Sequence, residues 1–292
     1  SDIIISCIPG IVPMKLQDYI SFFLWGKPTD FILQWLLRIC MHPRSDEATW
    51  NLGNTWAELD MAATAAFTAE VPNYLSIGPI LPDLILSTLM PSPGNCTKNV
   101  LQLPEFSFSI WAEDSSCLDW LALHPPASVL YVAFGSILQL PAEELESLIQ
   151  GIRESGVPFL WAVRPDQPGG AALEALRAEL ELESSSGAAE KAVCSGRIVA
   201  WAPQLAVLAH PSVGGFLSHC GWNSLLESLS LGVPLLARAG GFAEQRMNAH
   251  YVSEVWKVGL RVHEGAGARE VAELVREVMK EGGEVRRRAE EA

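Results

Sequence analysis

The sequence predicts an α/β protein whose larger part is a doubly wound parallel sheet, and three observations carry that reading. Short apolar strand patterns alternate with helix patterns from residue 129 to residue 279. The strand patterns are continuous apolar runs, such as Val129-Leu-Tyr-Val-Ala-Phe134, which suits strands buried on both faces. The residues hardest to explain as plain core, Ser136, Trp201 and Ser218-His219, follow the ends of strand patterns, where such sheets hold ligands.

Taken in order, Ile3–Ile8 reads as a short strand running into the Pro9-Gly10 turn. A helix is expected over Phe31–Met41, a strand over Thr49–Asn54, an Ala-rich helix over Trp56–Phe67 and a strand over Tyr74–Ile77. From about residue 81 to 113 Pro, Ser, Gly, Asn and Thr dominate, which reads as a linker or long surface loop. Strands then follow at Val129–Phe134, Phe159–Val163, Ile198–Ala200, Val213–Leu217, Leu235–Ala237 and Gly259–Val262. Helices fall between them at Pro141–Glu154, Gln204–Ala209, Asn223–Leu231, Glu244–Val255 and Ala268–Met279. Pro at the first turn of 141–154, with acids after it, suits a helix start. The Ala/Glu/Gly/Ser-rich stretch 165–194 predicts one exposed helix and a surface loop. The expected division is residues 1–85 as the tail of a first α/β domain, 86–113 as linker, and 114–292 as a ligand-binding domain.

Composition narrows the function. A chain of 292 residues with 49% hydrophobic content can build substantial cores. Its net charge of −14 repels nucleic-acid backbones, so an anionic ligand needs a local site that overrides the field. The six cysteines are scattered without C-x-x-C or metal spacing, which fits reduced thiols in a cytoplasmic protein; no metal is expected. No apolar run reaches the ~18 residues a membrane span needs. The start lacks Met and the end stops inside a charged helical pattern, so the chain is expected to be the interior of a longer sequence.

The chemistry concentrates between Trp201 and Asn248. In Ser218-His-Cys-Gly-Trp-Asn-Ser224 a strand ends, a glycine permits a turn and a helix begins, which brings free N–H groups to one point. Asn223 and Ser224 there serve as donors to an anion or as plain caps, and His219 as a third donor, a positive charge or a structural residue. Glu227, one turn on, can accept from vicinal hydroxyls or simply suit the helix dipole. Trp201 offers a flat ring on a stiffened loop, for stacking on a base or for lining the core. His210 before Pro211 fits a helix end better than a catalytic role. G-x-G-x-x-G after a strand, G-x-x-x-x-G-K-[ST] and G-x-S-x-G are all absent from the sequence.

As an ordered set these residues resemble the signature box of plant-type UDP-dependent glycosyltransferases that modify small molecules. W-A-P-Q from Trp201, His210, G-G-F, S-H-C-G-W-N-S, Glu227, G-V-P and Glu244-Gln245 all stand in the family's order. The run 118–136, Ile8-Pro-Gly, the segment from Asn54 to Leu59 and Ile77-Gly-Pro resemble its flanking landmarks. The resemblance implies a GT-B architecture, two Rossmann-like domains about a cleft, with most of the first domain missing here. It implies that Trp201 stacks on uracil, that Ala202 and Gln204 contact base or ribose, and that Glu227 binds the ribose hydroxyls. Ser136, His219, Gly221, Asn223 and Ser224 would hold the diphosphate, and Trp222, Glu244 and Gln245 the sugar. The expected ligand is UDP-sugar, with glucose favoured by Gln245, and the expected partner a small lipophilic acceptor, in a monomer without cofactor.

Two departures from the family's pattern are visible. Between Val233-Pro234 and Glu244 a Trp-Pro pair is replaced and one residue is added, leaving Arg238-Ala-Gly-Gly241, which is expected to displace Glu244 and Gln245. None of His42, His124, His210, His219, His250 and His263 sits in the family's base motif, so no catalytic residue is assigned. The two readings are therefore an inverting UDP-glycosyltransferase and a truncated homologue that binds UDP-sugar without turnover.

Overall fold

The computed structural model describes residues 3–19, 34, 49–81, 111–135, 140–164, 170–185 and 196–292. Ser136, most of the expected Phe31–Met41 helix and most of the 86–113 linker lie outside the described residues. Among the described residues the N-terminal part holds four short strands. β1 (Ile4–Ile5) pairs antiparallel with β2 (Met14–Lys15), and β3 (Asn51–Gly53) pairs parallel with β4 (Tyr74–Ser76). The strand expected over Ile3–Ile8 is thus only two residues long. The helix expected from Trp56 begins instead as a 3₁₀ turn, Ala57–Asp60. α1 (Met61–Glu70) follows it, where the Asp60 carboxylate accepts from the Ala63 N–H and caps the start.

From residue 116 the chain winds regularly: α2 (Ser116–Leu121), β5 (Val129–Ala133), α3 (Ala142–Ser155), β6 (Phe159–Ala162), α4 (Gly170–Ser185), β7 (Arg197–Val199) and α5 (Gln204–Ala209). Then come β8 (Val213–Ser218), α6 (Trp222–Ser230), β9 (Leu235–Ala237), α7 (Gln245–His250), β10 (Gly259–Arg261), α8 (Ala268–Val278) and α9 (Glu284–Glu291). The six strands from β5 onward form one parallel sheet in the order β10-β9-β8-β5-β6-β7. The chain starts at β5, builds outward through β6 and β7, then returns to build through β8, β9 and β10. The switch point therefore falls between the carboxyl ends of β5 and β8, where loops diverge and leave a crevice.

Burial on both faces follows from the strand chemistry. In β5, Val129, Tyr131 and Ala133 point into one core with α2, α5, α6 and α9, while Leu130 and Val132 point into the other with α3, α4 and α8. Phe159 and Trp161 of β6 are almost fully buried, each worth roughly 2–3 kcal/mol relative to exposure. α3 starts with Glu143 and Glu144 in its first turn and ends on Gly156 at φ 74°, a left-handed cap that glycine takes without strain. α4 is less exposed than its composition predicts, because Leu173 and Leu176 are buried in the second core. The helix expected over Glu244–Val255 is divided: α7 ends at His250 and a π-helical turn carries Tyr251–Val255.

The N-terminal segment is fastened to the larger unit by a small third core and by buried polar bonds. Met14 and Tyr19 pack with Tyr251. The buried Asp18 accepts from Arg261 at 2.7 Å, and His250 Nδ1 lies 3.8 Å from the other carboxylate oxygen. Among the described residues no helix is long and apolar enough to cross a membrane.

Candidate functional site

The site forms where β5 and β8 end. After β5 the chain turns at Gly135, φ 66°, and after β8 it turns at Cys220, φ 64°. The His219 imidazole fills the gap between these turns. A Cβ added at Gly135 or at Gly221 would each lie 2.5 Å from His219 Nε2, so the two glycines make room for the ring. Burial depresses the His219 pKa to about 4, offset in part by the Ala133 backbone, and Nδ1 meets no partner within hydrogen-bonding geometry. His219 is therefore neutral near pH 7, not the positive charge allowed by the sequence; it can offer a ring N–H but no standing charge.

Beside it, α6 opens with Gly221, not Asn223, at the N-cap, and no side chain caps it. Asn223 is exposed within the first turn and Ser224 is buried behind it. The free N–H groups of this turn face the switch point with their share of the helix dipole. Cys220 is fixed from two sides, its N–H donating to Ser218 Oγ and its carbonyl accepting from Asn248 Nδ2 at 2.9 Å. Its thiol is raised to about 12 by burial, which leaves it an inert part of the turn.

The nucleotide side of the site is a hydrogen-bonded set spanning α5 and α6. The Gln204 amide donates to Glu227 Oε2 at 2.7 Å and to Ser224 Oγ at 2.9 Å, while its Oε1 accepts from Tyr131 O–H at 3.4 Å. Burial raises the Glu227 pKa, and the bond from Gln204 offsets that rise only in part. Trp201 is half-buried, and its carbonyl accepts from the Asp114 N–H at 2.8 Å, which ties its loop to the start of α2. Ala202 is buried in the first core.

The three residues expected at the sugar divide. The Trp222 indole N–H donates to the Asn54 carbonyl at 2.7 Å, and the residue lines a cavity of about 800 Å³ against the N-terminal segment. Gln245 is buried and its Oε1 accepts from the Gly240 N–H at 3.1 Å, within the loop that carries the added residue. Glu244 precedes α7 as its N-cap residue and is half-buried. Sequence reasoning missed several contributors. Tyr131 stands under Gln204, Asn54 meets Trp222, Asn248 holds Cys220, and the buried Arg238 pairs with Glu144 at the start of α3. A charge directly after Leu235–Ala237, and a phenol in an aliphatic strand, were the available signals. His42 lies outside the described residues; His124 and His210 are buried beside the start of β8, with His210 Nδ1 accepting from the Ser212 N–H.

The model of the family described as "UDP-glucoronosyl and UDP-glucosyl transferase" matches residues 112–283. UDP-glycosyltransferase 85A7 of Arabidopsis thaliana is 34% identical over 99% of this chain, which covers 56% of that protein. 7-Deoxyloganetic acid glucosyltransferase of Catharanthus roseus is 40% identical over 95% of the chain and 54% of its own length. The chain thus spans about half the length of the curated relatives it matches. Among solved structures, Os79 from O. sativa in complex with UDP is 30% identical with a TM-score of 0.77, over 97% of this chain and 58% of its own. Phytolacca americana UGT2, solved with UDP-2fluoro-glucose and pterostilbene, is 32% identical with a TM-score of 0.71, over 97% and 57%. The α/β sheet, its doubly wound order and the GT-B expectation agree with these neighbours. With more than half its length matched by that one family model, the chain belongs to the UDP-glucuronosyl and UDP-glucosyl transferase family.

Proposed function

We propose that this chain holds the UDP-sugar of an inverting glycosyltransferase, with UDP-glucose the favoured donor and a hydroxyl of a small lipophilic molecule the acceptor. The observation that carries the reading is the Gln204–Ser224–Glu227 set beside the open first turn of α6, at the switch point of the sheet. Glu227 accepts from the ribose hydroxyls, and Trp201 stacks on the base with Ala202 and Gln204 at its edge. The diphosphate lies over Gly221, Asn223 and Ser224 with the neutral His219 as a further donor. Ser136 completes the phosphate side. The helix N-terminus then stabilises the charge that gathers on UDP as it leaves, without a metal. Glu244 contacts the sugar, and Gln245, buried with its Oε1 on the Gly240 N–H, has only its NH₂ group left to offer it. The largely apolar cavity beside Trp222 supports a lipophilic acceptor. The relatives' printed names and the UDP and UDP-2fluoro-glucose bound by the structural neighbours support the same donor. The cytoplasm suits the buried free thiols Cys117 and Cys220.

The test is a thermal shift. UDP should raise the melting temperature and Trp201→Ala should abolish the rise; a rise untouched by both Trp201→Ala and His219→Ala would sink the site. A second reading, donor binding without turnover, is favoured by the placement of the described histidines. His219 is held neutral against two glycines, and His250 lies against an Asp18 already bonded to Arg261. Glucosyl transfer from UDP-glucose by this chain alone would overturn that second reading.

A further inference from the structure

The hydroxyl of Tyr131 is a buried polar group on the nucleotide side of the site. Tyr131 lies in the middle of β5, is 1% exposed, and stacks on Phe216 of β8 with ring centroids 4.9 Å apart. A phenol buried this far must spend its O–H on a partner or lose the hydration it gave up. Its partner is Gln204 Oε1, at 3.4 Å. Burial raises its pKa far above any working pH, so the group is always a neutral donor.

The Gln204 amide can present either of its ends to α6, since turning it over exchanges oxygen and nitrogen in nearly the same volume. Only one orientation satisfies every neighbour. With Nε2 toward α6, the amide donates to Glu227 and Ser224 and its oxygen accepts from Tyr131. Turned over, it would set its oxygen against a Glu227 carboxylate oxygen and the bond there would be lost wherever Glu227 is ionised.

We propose that Tyr131 is a positioning residue for donor recognition: its buried hydroxyl holds the Gln204 amide so that the NH₂ group fixes Glu227 for the ribose hydroxyls. This rests on the reading of the site as a UDP-sugar site. It goes beyond that reading because Tyr131 touches no ligand and acts through Gln204. Without the hydroxyl, Oε1 loses its donor and the amide samples other orientations. Glu227 then loses the bond that opposes its burial and takes up a proton more readily. The other titratable groups near Tyr131 are Cys117 of α2, whose thiol burial raises to about 12, and Glu113. The thiol stays protonated through the working range.

Tyr131→Phe keeps the ring and its stacking and removes one oxygen. UDP and 2′-deoxy-UDP are titrated calorimetrically into wild type, Tyr131→Phe, Gln204→Met and the double variant, at pH 5.5 and pH 7.5. Tyr131→Phe should weaken UDP about five- to tenfold, the worth of one net hydrogen bond. 2′-Deoxy-UDP should lose less, so the preference for the ribose hydroxyl shrinks, and the UDP loss should be larger at pH 5.5. In the Gln204→Met background the same change should cost nothing further. Equal losses for both nucleotides, an unchanged preference, or additive losses in the double variant would overturn the positioning role. Should Tyr131→Phe fail to fold, the wild type carries the test by NMR. The Gln204 side-chain NH₂, assigned by its disappearance in Gln204→Met, should give two separate, slowly exchanging proton signals. A rapidly exchanging pair like that of a surface glutamine overturns the proposal. Wild-type protein that binds no UDP would instead overturn the donor-site reading, and the positioning role with it.

Discussion

Trp222 at the start of α6 donates its indole N–H to the main-chain carbonyl of Asn54, 2.7 Å away and 168 residues earlier in the chain. Trp256 does the same to the Leu59 carbonyl at 3.0 Å. Two indoles thus fasten the segment around β3 and its following turn to the donor side of the molecule. The bond at Trp222 gives its ring a structural task at the border of the cavity, where the family resemblance implied contact with the sugar.

That task makes Trp222→Phe informative. The ring's bulk is largely kept, the donor is lost, and the Asn54 carbonyl is left unpaired, which costs about 1–3 kcal/mol. Urea unfolding should show a loss of that size. UDP and UDP-glucose should keep their affinities within about threefold of wild type, since the lost bond belongs to the indole side chain and the main-chain N–H groups of the first turn stay in place. A selective loss for UDP-glucose over UDP would mean that the indole does meet the sugar.

His219 predicts an acid-side loss of stability. Its pKa in the folded protein is about 4, below the ordinary value of 6.5. The unfolded chain therefore binds the proton first as pH falls, and stability present above about pH 6.5 drains away down to about pH 4 and levels off below. The full loss from this residue is up to about 3 kcal/mol, at 1.36 kcal/mol per pKa unit. His210 and His250 are shifted downward by burial too and add to it in the same direction. His219→Gln, which cannot titrate, should show a shallower fall in unfolding free energy between pH 7 and pH 4.5. A slope equal to that of wild type would show that the ring is freely protonated in the fold.

Much of this arrangement was legible in the sequence. Continuous apolar runs at Val129–Phe134 and Val213–Leu217 identified the strands because both faces of a parallel sheet are buried. The polar residues after them marked the switch point, because a core would not tolerate them. Contacts that cross between distant parts of the chain were not legible. Asp18 meets Arg261 across 243 residues, and nothing in the local pattern of Leu-Gln-Asp names its partner. Nor does sequence periodicity tell a phenol that merely fills a core from one whose oxygen reaches Gln204. The neutral state of His219 depended on two glycines, Gly135 lying 84 residues before it and Gly221 two residues after it, closing on one ring.

Asp18 itself yields a prediction about how the N-terminal segment is held. Its side chain is 6% exposed and that of Arg261 is 19% exposed, so the pair is largely removed from solvent. Breaking such a pair strands the partner charge and costs about 3–5 kcal/mol. Asp18→Asn should lower stability by about that amount. Hydrogen exchange should show residues 3–19 opening ahead of the sheet, because the few bonds and the small core around Met14 and Tyr19 are what remain to hold them. Protection of that segment equal to wild type would mean the ion pair is dispensable.

Two glycines at similar backbone angles separate local strain from damage to the site. Gly156 has φ 74° and a Cβ there would meet nothing within 4 Å; Gly135 has φ 66° and a Cβ there would lie 2.5 Å from His219 Nε2. Gly156→Ala therefore carries the left-handed penalty alone, about 1–2 kcal/mol, and should leave UDP binding as it is. Gly135→Ala carries that penalty and must also drive the imidazole out of the gap between the β5 and β8 turns. A ring displaced toward the first turn of α6 would enter the space proposed for phosphate. UDP affinity should accordingly fall at least about tenfold in Gly135→Ala while its loss of stability stays within about 2 kcal/mol of that in Gly156→Ala. If calorimetry finds the same UDP affinity in both variants, His219 does not border the diphosphate and the phosphate side of the site must lie elsewhere.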